Sequence, residues 1–151
     1  MKLAEALILR ADLQKHIAQL KERLHSNAKV QENDTPAEDP QALLNELSGD
    51  ISQLEELIRR INHSNCTTMG ADGLSLTDKL AHRDALALYL STLREFCSEA
   101  SRKVDRYANT EIRIFSTVSV SELQKQIDAM SRELRLLDTE IQGLNWTCDL
   151  L

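Results

Sequence analysis

Apolar residues recur every three or four positions through most of the chain, which is the spacing of one face of an α-helix. The first series predicts a helix over about 2–25, and Arg10 is its one charged member. Its positions are Leu3, Ala6, Arg10, Leu13, Ile17, Leu20 and Leu24. The polar stretch at 26–39 is rich in Asn, Asp and Glu, which predicts a flexible connection.

A second helix is predicted to begin at Pro40. Asp39 can accept hydrogen bonds from the first free amide groups, and proline suits the first helical position. The apolar residues that follow form an unbroken heptad series: Leu44, Leu47, Ile51, Leu54, Ile58 and Ile61. Because Leu43 and Leu57 widen this face, the helix is predicted to contact more than one neighbour.

Two further helices are predicted in the second half of the chain. Thr77 can cap the third helix, whose apolar series, traced backwards, meets Arg83. That series is Leu86, Leu90, Leu93, Cys97, Ala100 and Val104. Ser119 and Glu122 fit a capping box for the fourth helix. Its three heptads are Leu123, Ile127, Met130, Leu134, Leu137, Ile141 and Leu144.

Two segments between helices lack the helical spacing. Residues 66–76 contain Asp72-Gly73 and an alternating Leu74-Ser75-Leu76, which predict a small β-hairpin. Residues 110–118 are β-branched and alternating, which predicts a short strand. The predicted fold is therefore mainly α: four long amphipathic helices in a single-domain bundle over 1–151, with this small β element. Simple chain reversals would place the two β segments at opposite ends. Either the segments pair with different partners, or helical hairpins reach across subunits and join them; we favour the second.

Charge and composition exclude several classes of protein. Lys plus Arg number 18 and Asp plus Glu 24, a net charge of −6 that opposes nucleic-acid binding. No apolar run approaches the 18 or more residues of a membrane span, and the apolar run near the start is too short for secretion. The three cysteines are widely spaced, as expected for reduced thiols. We expect a cytoplasmic protein.

The sequence contains no motif for catalysis or for a cofactor. No Ser or Cys lies in a recognisable nucleophile sequence, and no glycine-rich phosphate loop is present. Glu22 and His25 form a Glu-x-x-His turn, but a bundle metal site needs a second copy, which is absent. We therefore predict no catalytic residue, metal or cofactor, and no enzyme.

Several charged residues nevertheless lie at or beside the apolar series. They are Arg10, His82, Arg83 and Asp84, with a further mixed cluster after the third helix that includes Arg106, Tyr107 and Arg113. Charges that become buried need partners. We favour a polar network that fixes helix register or subunit pairing; the alternative is a small polar binding site.

Several strings of residues stand out along the chain: 1–7, 27–32, 36–40, 57–62, Asp72-Gly73, Leu76-Thr77-Asp78, Ala81, Arg83-Asp84, Asp105-Arg106-Tyr107, Glu111-Ile112-Arg113 and Asn145-Trp146-Thr147. They are similar to those of a small family of bacterial proteins of unknown function, some of which are named septicolysin. The chain resembles this family over nearly its full length. The resemblance implies a bacterial, mainly helical protein and, through the name, a cytolysin, and it supplies no catalytic residues.

Three functional hypotheses follow. The leading one is a homo-oligomeric helical protein with a structural or partner-binding role, whose second and fourth helices make the main contacts. The alternative is a septicolysin-like pore former, released by a non-classical route; residues 61–71 carry no charge, but the net negative charge opposes anionic lipid. The third is a small-molecule-binding protein or enzyme that uses Arg83 and Asp84.

Overall fold

The computed structural model describes residues 1–102 and 114–151, and the mainly helical prediction is confirmed. The four helices are α1 (Leu3–Ser26), α2 (Pro40–Thr67), α3 (Leu76–Ser101) and α4 (Val120–Thr147). The chain divides into two compact units. The first unit consists of Met1–Ser75 with Gln142–Leu151, and the second is Leu76–Ile141. Whether they form one domain, as the sequence predicts, stays a prediction.

In the first unit, α1 and α2 pack against each other through apolar side chains. The predicted α1 series supplies the buried side of that helix: Leu3, Ala6, Leu13 and Leu20 are buried, and Arg10, Ile17 and Leu24 are half-buried. In α2, the buried residues follow a different line from the predicted heptad series, of which only Ile61 is buried. Leu44 and Ile51 each remain 47% exposed.

The buried line of α2 is displaced from the predicted series by about 50° around the helix, because half of its members lie one residue earlier. Its buried and half-buried members are Leu43, Leu47, Asp50, Leu54, Leu57, Ile61 and Ser64. Both lines step by three and four, and they share Leu47, Leu54 and Ile61. A shift of one residue turns the helix by about 100°, so spacing alone does not choose between them.

The ends of the 27–39 connection are tied together. Asp39 caps α2 as predicted, since its Oδ1 accepts the Gln41 N–H at 3.0 Å. Asn27 is buried, and its Nδ2 donates to the Arg23 carbonyl at 2.9 Å. The Oδ1 of Asn27 accepts the Glu38 N–H at 3.0 Å. These bonds close the loop at its base, and its predicted flexibility stays a prediction.

The two ends of the chain meet in the first unit. The Leu3 N–H donates to the Cys148 carbonyl at 3.0 Å, and the Leu150 N–H donates to the Met1 carbonyl at 2.9 Å. The buried Ser64 hydroxyl accepts the Leu151 N–H at 2.9 Å. The carboxyl-terminal residues are thus attached both to the start of α1 and to the last turns of α2.

The β-hairpin predicted at 66–76 is wrong. The last turn of α2 continues to Thr67, and Met69 and Ser75 form only an isolated antiparallel bridge. The turn signal itself is correct, because Gly73 adopts a left-handed φ of 79°. Of the eight residues between α2 and α3, only Met69 and Ser75 pair in this way. Of the strand predicted at 110–118, residues 110–113 lie outside the described part, and 114–118 form no strand.

In the second unit, α3 and α4 pack through the predicted series. Leu90, Leu93, Cys97 and Ile127 form a buried cluster. The residues packed against it are Val120, Leu123, Met130 and Leu134. Ser119 caps α4, since its Oγ accepts the Glu122 N–H at 3.4 Å.

Candidate functional site

A buried lysine lies among the apolar residues that α3 directs toward α4. The Lys79 side chain is only 2% exposed, and its Nζ lies 2.8 Å from Oε1 of Glu140 on α4. Glu140 is 41% exposed, so one side of the pair is buried and the other reaches solvent. A buried ammonium group is costly unless it is paired, so this contact constrains how α3 and α4 align. The sequence analysis missed Lys79, although one further four-residue step back from Arg83 reaches it.

The predicted polar residues of α3 lie nearer the surface. Arg83 donates to Oδ1 of the adjacent Asp84 from Nε at 3.0 Å and from Nη2 at 2.7 Å. Nε2 of His82 lies 3.2 Å from Oε1 of Glu133 on α4, and both side chains are more than half exposed. Exposed pairs of this kind contribute little to stability.

The remaining predicted site residues do not join this group. Arg10 belongs to the first unit and is half-buried. Its Nε is buried and has no hydrogen-bond partner among the residues that the structure describes. Arg106, Tyr107 and Arg113 lie outside those residues. The predicted polar network or ligand site therefore stays a prediction.

The first unit contains a ladder of charged side chains between its helices. Arg23 binds both carboxylate oxygens of Glu38 from Nε at 3.1 Å, and Nη1 approaches Glu46 at 3.8 Å. Nδ1 of His16 lies 2.7 Å from Asp50. The hydrogen bond from Arg23 holds the pKa of Glu38 below its ordinary value and raises the pKa of Arg23. This ladder joins α1 to α2 and to the connection.

An apolar surface lies on the side of α3 that is not buried against α4. We call it the outer face; it consists of Ala81, Ala85, Leu88, Tyr89, Thr92 and Phe96, all of them exposed and uncharged. Leu88 is 71% and Phe96 47% exposed. Beside Phe96, Ile114 and Phe115 help to line a surface cavity of about 280 Å³. Phe96 thus belongs both to the outer face and to the lining of this cavity.

Within 1–102 and 114–151, no three His, Cys, Asp or Glu side chains come together as ligands for a metal ion. No helix in those same ranges has an apolar stretch long enough to cross a membrane.

The comparisons place the chain among relatives of unknown function. The sequence model of a family of unknown function, DUF6847, matches residues 10–150. The chain belongs to this family. This DUF6847 protein is similar to a functionally unknown conserved protein from Corynebacterium diphtheriae whose crystal structure is known. The two chains are 38% identical in sequence, and their structures superpose with a TM-score of 0.92. The match covers 100% of this chain and 99% of that one.

Among curated proteins, none matches this DUF6847 chain. The matching family and the matching structure are both described as functionally unknown, and neither description mentions a septicolysin. The bacterial, helical part of the resemblance agrees with these findings, and the septicolysin part stays a prediction.

Proposed function

We propose that this DUF6847 protein is a non-catalytic helical protein that associates with further copies of itself and has a structural or partner-binding role. One observation carries the proposal: each unit keeps apolar side chains of a helix exposed after its own helices have packed. Monomeric proteins rarely expose a contiguous apolar patch of more than a few hundred Å² unless it binds something.

Aromatic side chains support the proposal. Four of them lie in the described residues, namely Tyr89, Phe96, Phe115 and Trp146, and all four are exposed. Aromatic residues contribute large areas to protein cores and are enriched where two proteins meet. A chain that places its aromatic residues outside its own core has them available for a partner.

The first unit offers a second apolar surface, on α2. Leu44 and Ile51 are exposed, Ile58 is half-buried, and the three are seven residues apart. A seven-residue spacing aligns side chains along one side of a helix and is typical of the contact between two packed helices. These residues lie beside the buried line of α2, so a further helix can pack there without disturbing α1. This is the contact with a second neighbour that the sequence predicts.

Light scattering on the purified, reduced full chain tests self-association. We expect a fixed oligomer whose mass persists across micromolar concentrations, and a strict monomer throughout that range would refute self-association. A variant with Leu44→Gln and Ile51→Gln shows whether the α2 surface contributes. Ser52→Gln, on an exposed position of the same helix, is the matched control.

The septicolysin-like alternative predicts a different result for the same sample. Its uncharged segment at 61–71 begins within α2, so membrane insertion requires the end of that helix to unfold. Vesicles loaded with dye, made either of neutral lipid or with anionic lipid, stay intact under the leading proposal. Leakage that depends on the protein would instead support the pore former.

A small-molecule site at Arg83 and Asp84 is the third hypothesis. Arg83→Met leaves assembly unchanged and abolishes binding of a small molecule if that site exists. A change in assembly or stability alone supports a structural role for Arg83.

A further inference from the structure

The outer face of α3 has the length and the chemistry of a helix-packing surface. From Ala81 to Phe96 it runs for about 22 Å at 1.5 Å per residue. Its members at 81, 85, 88, 92 and 96 follow the three- and four-residue steps of one helix face. None of these residues is charged, and the nearest charged positions, Asp84 and Glu95, lie at the edge of the face beside Leu88, four residues before it and seven after it.

The sizes of these side chains make the face complementary to itself. Ala81 and Ala85 are the small members at one end, Phe96 is the large member at the other, and Leu88 and Tyr89 lie at the midpoint. An antiparallel pairing about a two-fold axis at that midpoint sets each large end against a small end. A parallel pairing instead sets Phe96 against its own copy and leaves a gap between the alanines. Close packing favours the antiparallel arrangement.

The exposed aromatic area is a substantial part of what a dimer requires. Tyr89, Phe96 and the neighbouring Phe115 are 55%, 47% and 75% exposed. At about 200 Å² for each aromatic side chain, they expose about 350 Å². A standard interface buries about 800 Å² per partner, so these three residues supply roughly two-fifths of it. The aliphatic members of the outer face add to that area.

We propose that two copies of this chain pair through the outer faces of α3, antiparallel, about a two-fold axis between Leu88 and Tyr89. This inference rests on the proposed function and names its partner and geometry. Phe96 packs over the partner's Ala81, Thr92 lies opposite the partner's Ala85, and Leu88 and Tyr89 each lie beside their own copies. The occupant of the face is a second copy of this chain.

Disulfide trapping tests the geometry in the full chain. The background carries Cys66→Ser and Cys148→Ser and retains the buried Cys97. Under mild oxidation, a mixture of Ala85→Cys and Thr92→Cys proteins should form the mixed disulfide dimer, identified by its mass. Each protein alone should form little, because in this register the two copies of position 92 are seven residues apart. That separation is about 10 Å along the helix, beyond the reach of a disulfide.

Ser91→Cys is the matched control, because Ser91 is exposed but lies off the outer face. Efficient trapping of the Ser91→Cys protein would mean that random collisions explain the disulfides, and it would overturn the geometry. A Thr92→Cys dimer that forms as readily alone as in the mixture would show a parallel pairing and would also overturn it.

A charge at the axis tests the surface itself. Leu88→Asp places two carboxylates beside each other in the dimer, and we expect a dissociation constant raised by about a hundred-fold or more. The control is Leu136→Asp, the same substitution at a leucine of α4 that is also mostly exposed, and it should leave the dissociation constant unchanged. Circular dichroism of each variant confirms that the helices remain formed.

The outcomes separate this inference from the proposed function. A wild-type chain that is monomeric throughout refutes self-association and this inference with it. A wild-type oligomer that Leu88→Asp does not weaken leaves self-association standing and overturns the outer face as the interface. An oligomer weakened by Leu88→Asp and not by Leu136→Asp, together with the mixed disulfide, supports the antiparallel pairing.

Discussion

The pair of Lys79 and Glu140 yields the sharpest stability prediction. Glu140→Gln removes the carboxylate that lies 2.8 Å from the ammonium group of Lys79, which is only 2% exposed. Breaking a fully buried pair from one side costs about 3–5 kcal/mol. Because Glu140 is 41% exposed, water can approach this pair, so we expect a smaller loss of about 2 kcal/mol.

Substitution of Lys79, the other member of the pair, should affect stability differently. Lys79→Met replaces the buried charge with an apolar chain of similar length and leaves Glu140 partly solvated. Replacement of buried ionic groups by apolar ones is often neutral or stabilising. We therefore expect little loss from Lys79→Met, and little further loss when Glu140→Gln is added to it.

Thermal and urea unfolding, followed by circular dichroism, measure all four proteins of this double-mutant cycle. For Glu140→Gln, a loss of about 2 kcal/mol corresponds to a fall in Tm of roughly 4–8 °C. The reasoning is refuted if Lys79→Met destabilises the chain more than Glu140→Gln does, or if the two effects simply add. Additive effects would mean that the two groups do not interact in solution.

Two further predictions concern the first unit. Leu20→Ala, at a fully buried position of α1, should cost about 2–5 kcal/mol in chemical unfolding, whereas Ile8→Ala, at an exposed position of the same helix, should cost under about 1 kcal/mol. Equal losses would contradict the assigned core. Because Arg23 lowers the folded-state pKa of Glu38, the stability from this pair is present above the ordinary pKa of 4.5 and is lost as the pH falls through the folded value. Glu38→Gln should therefore reduce Tm near neutral pH but not at strongly acidic pH, and a loss that is the same at both would refute this account.

The helices could be predicted from the sequence because each has a long apolar series with steps of three and four. In α1, α3 and α4 one such series dominates, and its described members are buried or half-buried. In α2 two series overlap, and the one that packs against α1 contains Asp50, which makes it look the poorer choice. The Asp50 carboxylate is accommodated there because Nδ1 of His16 on α1 lies 2.7 Å from its Oδ2. A partner on another helix cannot be identified from spacing within one helix.

The β-hairpin prediction failed for a related reason. Asp72-Gly73 is a reliable local turn signal, and Gly73 adopts the expected conformation. Whether strands flank a turn depends on how far the neighbouring helices extend, and uncharged polar residues such as Thr67 continue α2 instead. Lys79 was missed because the series of the third helix was traced back only as far as Arg83, one four-residue step short of it. A charge on the regular spacing is a candidate for a buried, paired group.

The outer face of α3 is not explained by the folding of its own unit. Leu88 is 71% exposed, so a polar residue there would lose little buried area, and Tyr89 and Phe96 are poorer helix formers than Lys or Glu. Exposed aromatic and aliphatic side chains also raise the risk of nonspecific aggregation. Stability and solubility would therefore both favour polar residues at these positions. A contact that buries these aromatic and aliphatic side chains accounts for their presence on the outer face. The large and small ends of the face fit a second copy turned through 180°.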